Sequence, residues 1–162
     1  MENNILLDQL KKFYENEKNL NTLFKILNHN NMFKKSKEKK ISLRLIDWFV
    51  TNYCKKYNIY WVQENSRFVV YLNYKLQLKA YSKKYFDPFC RRERILIDIQ
   101  DLSWKIINNV NKPKTNENQL ITTVGQLNFF KWFIENNVLN YAIENIEHID
   151  KDMIETLNNS KK

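Results

Sequence analysis

Ile59-Tyr60-Trp61-Val62-Gln63-Glu64-Asn65-Ser66-Arg67-Phe68-Val69-Val70-Tyr71-Leu72 decides the fold class. Two runs rich in β-branched and aromatic residues, Ile59–Val62 and Arg67–Leu72, flank four polar residues, which is the pattern of a β-hairpin. Most of the remaining chain reads as helix. With one Gly and two Pro the sequence is also too poor in turn residues for a sandwich or barrel. The reading is therefore an α+β fold: a mainly helical single domain with a small antiparallel β-sheet built from Ile59–Val62, Arg67–Leu72 and a third strand at Arg94–Ile99.

Downstream of the hairpin the pattern is double. Val70, Leu72, Tyr74, Leu76, Leu78 and Ala80 alternate like a strand, while Leu72, Leu76 and Ala80 share one helix face. Lys, Gln, Leu and Ala dominate there and favour a helix over Tyr74–Tyr85, stopped by Asp87-Pro88. Asp101 or Ser103 is expected to start a short helix with Trp104, Ile106 and Ile107, and Asn108–Asn118 reads as a loop. Thr123 followed by Gln126 forms a capping box ahead of an apolar helix through Ile134, which Asn136-Asn137 breaks before helix resumes. The lone Gly125, in the first turn, marks a tight approach to a neighbouring element.

Upstream, Ser42 caps a helix running to about Lys56. Its stretch Leu45-Ile46-Asp47-Trp48-Phe49-Val50 is apolar on most of its surface and belongs at the centre of the domain, with Asp47 paired to Arg44 or Lys55, or facing water at a gap. Two shorter helices fill Asn4–Asn31 around a polar break at Asn16–Asn19, the second capped by Asn19 or Asn21. The expected core includes Leu45, Phe49, Ile97, Leu127, Phe130 and Phe133. The organisation is a helical segment 1–33, a basic linker or arm 34–41 and a main α+β domain 42–157, forming one compact unit with 1–33. The apolar density of Phe129–Ile134 exceeds one amphipathic stripe, which suggests contact with a second copy or a protein partner.

The chain carries a net charge of +9, unevenly spread. Lys34–Arg94 holds sixteen basic and five acidic residues, net +11, whereas Glu117–Leu157 holds two basic and seven acidic, net −5. Within the basic part lies an arm of five lysines in seven residues, Lys34, Lys35, Lys37, Lys39 and Lys40. Further on, Lys75, Lys79, Lys83 and Lys84 interleave with Tyr81 and Tyr85, and Arg91, Arg92 and Arg94 cluster. Cations that neutralise phosphates beside rings that stack on bases are the chemistry of non-specific nucleic-acid binding. These fourteen residues are the candidate contacts to DNA or RNA. Two other readings stay open. One is a protein–protein adaptor or structural protein, because an AT-rich coding sequence also enriches Lys, Asn, Tyr and Ile. The other is a metal-dependent nuclease using Asp87, Glu93, Asp98 and Asp101.

Other enzyme classes find no support. One glycine cannot build a glycine-rich phosphate loop, and neither a GxSxG elbow nor an HExxH motif occurs. His148 sits among Glu144, Glu147 and Asp150, where pairing with an acid is expected; His29 lies at an Asn-rich helix end. Cys54 and Cys90 form no CxxC motif and read as two free thiols rather than a disulfide. No cofactor or metal is expected. No secretory or membrane-spanning stretch is visible, so a soluble intracellular protein without membrane association is expected.

Leu43–Tyr53, Val70–Ile95 ("VYLNYKLQLKAYSKKYFDPFCRRERI") and Thr122–Tyr141 ("TTVGQLNFFKWFIENNVLNY") resemble an uncharacterised conserved protein of the nucleocytoplasmic large DNA viruses, the giant-virus group. The resemblance carries no catalytic signature. It implies a DNA- or RNA-associated viral factor in the cytoplasmic factories of the host, or in the virion core, with nucleic acid or another viral protein as partner.

Overall fold

The computed structural model describes residues 2–27, 41–107 and 115–160. The hairpin is formed by β1 (Tyr60–Gln63) and β2 (Ser66–Val69), antiparallel, with Tyr60 opposite Val69 and Gln63 opposite Ser66. Its turn residues Glu64 and Asn65 both have positive φ, 51° and 63°, the type I′ pattern that suits the strand twist, here without glycine. The second strand is shorter than its apolar run. The Val70 N–H donates to the Ile59 carbonyl, and the chain then coils into α5 (Val70–Tyr85). The Leu72–Leu76–Ala80 spacing thus prevails over the alternation, and the helix expected at Tyr74–Tyr85 starts four residues earlier. Ser82 (φ 59°, ψ 170°) kinks it near its end.

Arg94–Ile99 is indeed extended, as β3 (Arg94–Asp98), but it does not join the hairpin. It is the middle strand of a second antiparallel sheet, between β4 (Trp104–Ile106) and β5 (Gln119–Thr123), with Ile97 facing both Trp104 and Leu120. The single expected sheet is therefore two. Trp104–Ile106 is strand and not the short helix expected, because three residues are too few to show a period and pairing with β3 decides their state. β5 was hidden by Thr123, which ends the strand and also caps the next helix.

α1 (Glu2–Tyr14) and α2 (Glu17–Leu27) form the N-terminal pair. The cap between them is Asn16, whose Oδ1 accepts from the N–H groups of Lys18 and Asn19, and not Asn19 or Asn21. Ser42 caps α3 (Leu43–Trp48) through its hydroxyl, which accepts from the Leu45 N–H; a π-helical segment, Phe49–Tyr53, and α4 (Cys54–Lys56) continue it. α6 (Val124–Glu135), α7 (Val138–Glu144) and α8 (Ile146–Ser160) complete the chain, with Asn137 in the left-handed region at the break.

The core surrounds α6. Leu45, Phe49, Ile97, Leu127, Phe130 and Phe133 are all buried, as expected. Phe86, Phe129, Trp132 and Phe133 form a ring cluster, which Tyr74 joins from α5. Phe129, Phe130, Trp132 and Phe133 are covered by this chain itself, so the apolar surplus of α6 is absorbed internally and does not face outward. No helix among the described residues is long and apolar enough to cross a membrane.

Candidate nucleic-acid interface

Asp87-Pro88-Phe89-Cys90 is a turn by composition, with Asp first and Pro second. The Asp87 carboxylate accepts from the Phe89 N–H at 3.0 Å, and the Asp87 carbonyl accepts from the Cys90 N–H at 3.1 Å. Four buried polar residues at the start of α6 hold this segment in place. Asn128 Nδ2 donates to the Tyr85 carbonyl (2.8 Å), Gln126 Nε2 to the Pro88 carbonyl (2.8 Å) and Thr123 Oγ1 to the Cys90 carbonyl (3.0 Å). The Thr122 hydroxyl donates to Gln126 Oε1 at 2.7 Å, which closes the network. Gln126 does not complete the reciprocal half of the capping box; the Thr123 hydroxyl accepts from the Gln126 N–H, while the Gln126 side chain holds the loop. Each of the four side chains thereby has a partner, and the loop entering Arg91-Arg92-Glu93-Arg94 is fixed on the most buried helix among the described residues.

The cations expected as contacts fall into separate groups. Lys83, Lys84, Arg91 and Arg92 are exposed, and Arg94, at the start of β3, is half-buried. The Cys90 thiol lies 3.5 Å from the Lys84 carbonyl, so the end of α5 touches the residue that precedes the arginine run. Lys75 and Lys79 sit earlier on α5, exposed beside Leu72 and Leu76, and the Ser82 kink interrupts any continuous stripe from there to Lys83. None of these seven cations forms an ion pair with a described residue. Lys34, Lys35, Lys37, Lys39 and Lys40, and also His29, lie outside the described residues.

The two candidate tyrosines are less open than their composition suggests. Tyr81 is half-buried and stacks on Phe86 at 6.4 Å between centroids. Tyr85 is half-buried, with the Lys84 ammonium 5.3 Å from its ring centre. The open ring here is Phe89, 42% exposed, which the sequence reading passed over although Pro88-Phe89 directly precedes the arginines.

Beside Phe89 lies a cleft of about 440 Å³. Leu27, Leu43, Phe89 and Ile121 give it apolar walls; Thr122, Thr123 and Gln126 line its polar side; Arg91 and Arg94 supply charge. No carboxylate among the described residues lines it.

The carboxylates behave differently from their sequence reading. Asp87 and Asp98 accept from backbone N–H groups two residues on, as does Asp101, and no group of three His, Cys, Asp or Glu side chains among the described residues could hold a metal ion. Asp47 pairs with neither Arg44 nor Lys55. It is half-buried, and burial first, then the nearby Asp87 carboxylate, raise its pKa while Lys83 opposes them. His148 meets an aromatic partner, its Nδ1 in hydrogen-bond contact with the Tyr53 hydroxyl. Burial foremost, with smaller contributions from surrounding groups, pushes the Tyr53 pKa up to about 12, so the phenol keeps its proton at neutral pH. Cys54 and Cys90 are free thiols.

The model of a family of unknown function, DUF7197, matches residues 1–162. An uncharacterized protein of Acanthamoeba polyphaga mimivirus, L507, is 40% identical over 97% of this chain and 56% of its own length. The chain thus spans about half the length of this curated relative, and its similarity lies with giant-virus proteins. No solved structure matches the chain.

Proposed function

We propose, for a chain that belongs to the family of unknown function DUF7197, that it is a non-catalytic nucleic-acid-binding protein of low sequence specificity, acting as a DNA- or RNA-associated factor in the host cytoplasm or the virion core. The observation that carries this reading is the set of unspent cations. Lys75, Lys79, Lys83, Lys84, Arg91, Arg92 and Arg94 have no ion-pair partner among the described residues, while the acidic side chains Glu144, Glu147, Asp150 and Glu155 belong to α7 and α8. An unpaired fork of guanidinium donors fits phosphate oxygens, and the lysines add point charge. The test is a titration of labelled duplex DNA, single-stranded DNA, RNA and heparin at two salt concentrations. Each phosphate neutralised on duplex DNA contributes about 0.9 to the log–log salt slope, so affinity falls steeply as salt rises. Changing Arg91, Arg92 and Arg94 to Gln weakens binding to all sequences alike. A folded protein that binds none of the four at low salt ends the reading.

One observation favours a second reading, a protein–protein adaptor. Leu72 and Leu76, 60% and 64% exposed, stand one turn apart on the outward side of α5 beside Lys75 and Lys79. An acidic partner with apolar side chains one turn apart would complement them. Pull-down partners that survive both nuclease and high salt, and are lost when both leucines become Gln, favour the adaptor.

A further inference from the structure

The cleft beside Phe89 carries an inference that rests on the nucleic-acid reading and narrows it. Each polar side chain on its polar side already has a partner within the fold. Thr122 Oγ1 donates to Gln126, Thr123 Oγ1 donates to the Cys90 carbonyl and Gln126 Nε2 donates to the Pro88 carbonyl. The charged donors belong to Arg91 and Arg94, whose guanidinium groups bond no described residue. A guanidinium has five N–H groups and no acceptor. An occupant that satisfies both guanidinium groups brings several acceptor oxygens and negative charge, which a phosphate does. The apolar lining asks for something else. Leu27, Leu43 and Ile121 give apolar contact, and Phe89 offers an open aromatic ring. Phosphate joined to a flat, largely apolar ring system describes a nucleotide, and about 440 Å³ lies within the range of small-ligand sites.

A paired base in a duplex keeps its faces stacked and cannot enter such a cleft without being extruded. An unpaired base in a single strand can. We infer that the cleft lined by Arg91, Arg94, Phe89 and Ile121 takes one unpaired nucleotide, its phosphate on the arginines and its base along the Phe89 ring, which makes single-stranded nucleic acid the preferred ligand.

The experiment is fluorescence anisotropy with a fifteen-nucleotide oligothymidylate and a duplex of the same length, on the full chain. The variants are Phe89→Ala, Phe89→Tyr and Arg91→Gln/Arg94→Gln, each checked for folding by circular dichroism. Phe89 is exposed, so its removal leaves the core intact. Wild type binds the single strand more tightly than the duplex. Phe89→Ala weakens single-strand binding about tenfold, the loss of one base stack, and leaves duplex binding unchanged, while Phe89→Tyr retains the preference. The double arginine variant weakens both ligands. Equal affinity for strand and duplex, or a single-strand affinity unmoved by Phe89→Ala, overturns the cleft inference while the nucleic-acid reading stands. Absence of binding to either ligand at low salt overturns both.

Discussion

Gly125 lies so close to Cys90 that a Cβ on it would stand 2.8 Å from the Cys90 Sγ and 2.9 Å from its Cβ, with the Lys84 carbonyl oxygen at 3.0 Å. The only glycine in the chain thus sits where the end of α5, the arginine loop and the first turn of α6 converge. Alanine would normally gain about 1 kcal/mol over glycine within a helix. Here the overlap opposes it, and overpacking typically costs about 1–3 kcal/mol. Gly125→Ala is expected to lower stability by about 1 kcal/mol in urea melts. Cys90→Ala added to it recovers only part, because the Cβ and the Lys84 carbonyl remain. A Gly125→Ala protein at least as stable as wild type would refute this packing.

That close approach was legible from the sequence because a single glycine in a capped first turn has few other reasons to be there. The hairpin, the Ser42 and Thr123 caps, the Asn137 break and the core of α6 were legible for similar local reasons. Pairing between distant strands was not. Nothing in Trp104–Ile106 or Gln119–Thr123 announces that both flank Arg94–Asp98, since an edge strand of three to five residues takes its state from its partner. The arginines of the candidate site were visible as charge. Phe89 and the loop-holding role of Gln126 were not, because they depend on a loop folding back over a helix start some forty positions away.

Asp152 and Asp47 should shape the acid limb of stability in opposite directions. Burial alone would raise the Asp152 pKa. Hydrogen bonds from Lys56 Nζ (2.7 Å), Trp48 Nε1 (3.0 Å) and the Tyr57 hydroxyl (3.0 Å) outweigh it and hold the group below the usual carboxylate range. A lowered folded-state pKa stabilises above the unfolded value, near 3.9, and that contribution is lost as pH falls through the lowered one. Asp47 is raised, chiefly by burial, so its effect is favourable only in acid and is lost as pH rises through its folded pKa. Asp152→Asn is therefore expected to cost about 1 kcal/mol at pH 7 and to flatten the stability profile below pH 5. Asp47→Asn is expected to raise stability at pH 7. Denaturant melts across pH 3–7 read both, and a Asp47→Asn variant less stable than wild type at pH 7 would contradict the assignment.

A buried polar contact ties the N-terminal helix to the core, the Tyr14 hydroxyl donating to the Leu127 carbonyl at 2.7 Å. Burial foremost, and then Glu135, raise the Tyr14 pKa well above its ordinary value, so the donor keeps its proton. Leu127 lies within α6, where its carbonyl also faces the helical ladder. Tyr14→Phe therefore removes a bond without stranding the acceptor, and the cost expected is about 0.5–1.5 kcal/mol. Hydrogen exchange should show the loss concentrated in α1. A loss above the range for a single hydrogen bond would mean that Tyr14 orders more of the N-terminal pair than this contact.

The two thiols give a reading of both the core and the cleft. Cys54, directly after the π-helical segment, is fully buried, and burial alone pushes its pKa far up, so almost no thiolate forms near neutral pH. Cys90 is half-buried, bonds only weakly to the Lys84 carbonyl and lines the cleft with Arg91 and Arg94. Iodoacetamide applied to the native protein at pH 8 is expected to modify Cys90 and to spare Cys54 until denaturant is added, as read by intact mass and peptide mapping. Saturating oligothymidylate should slow the Cys90 reaction several-fold if a nucleotide fills the cleft, whereas an equimolar duplex should slow it less. Comparable native labelling of both cysteines would contradict the buried placement of Cys54. Labelling of Cys90 that bound single strand leaves unchanged would move the ligand away from the cleft and onto the exposed lysines and arginines around it.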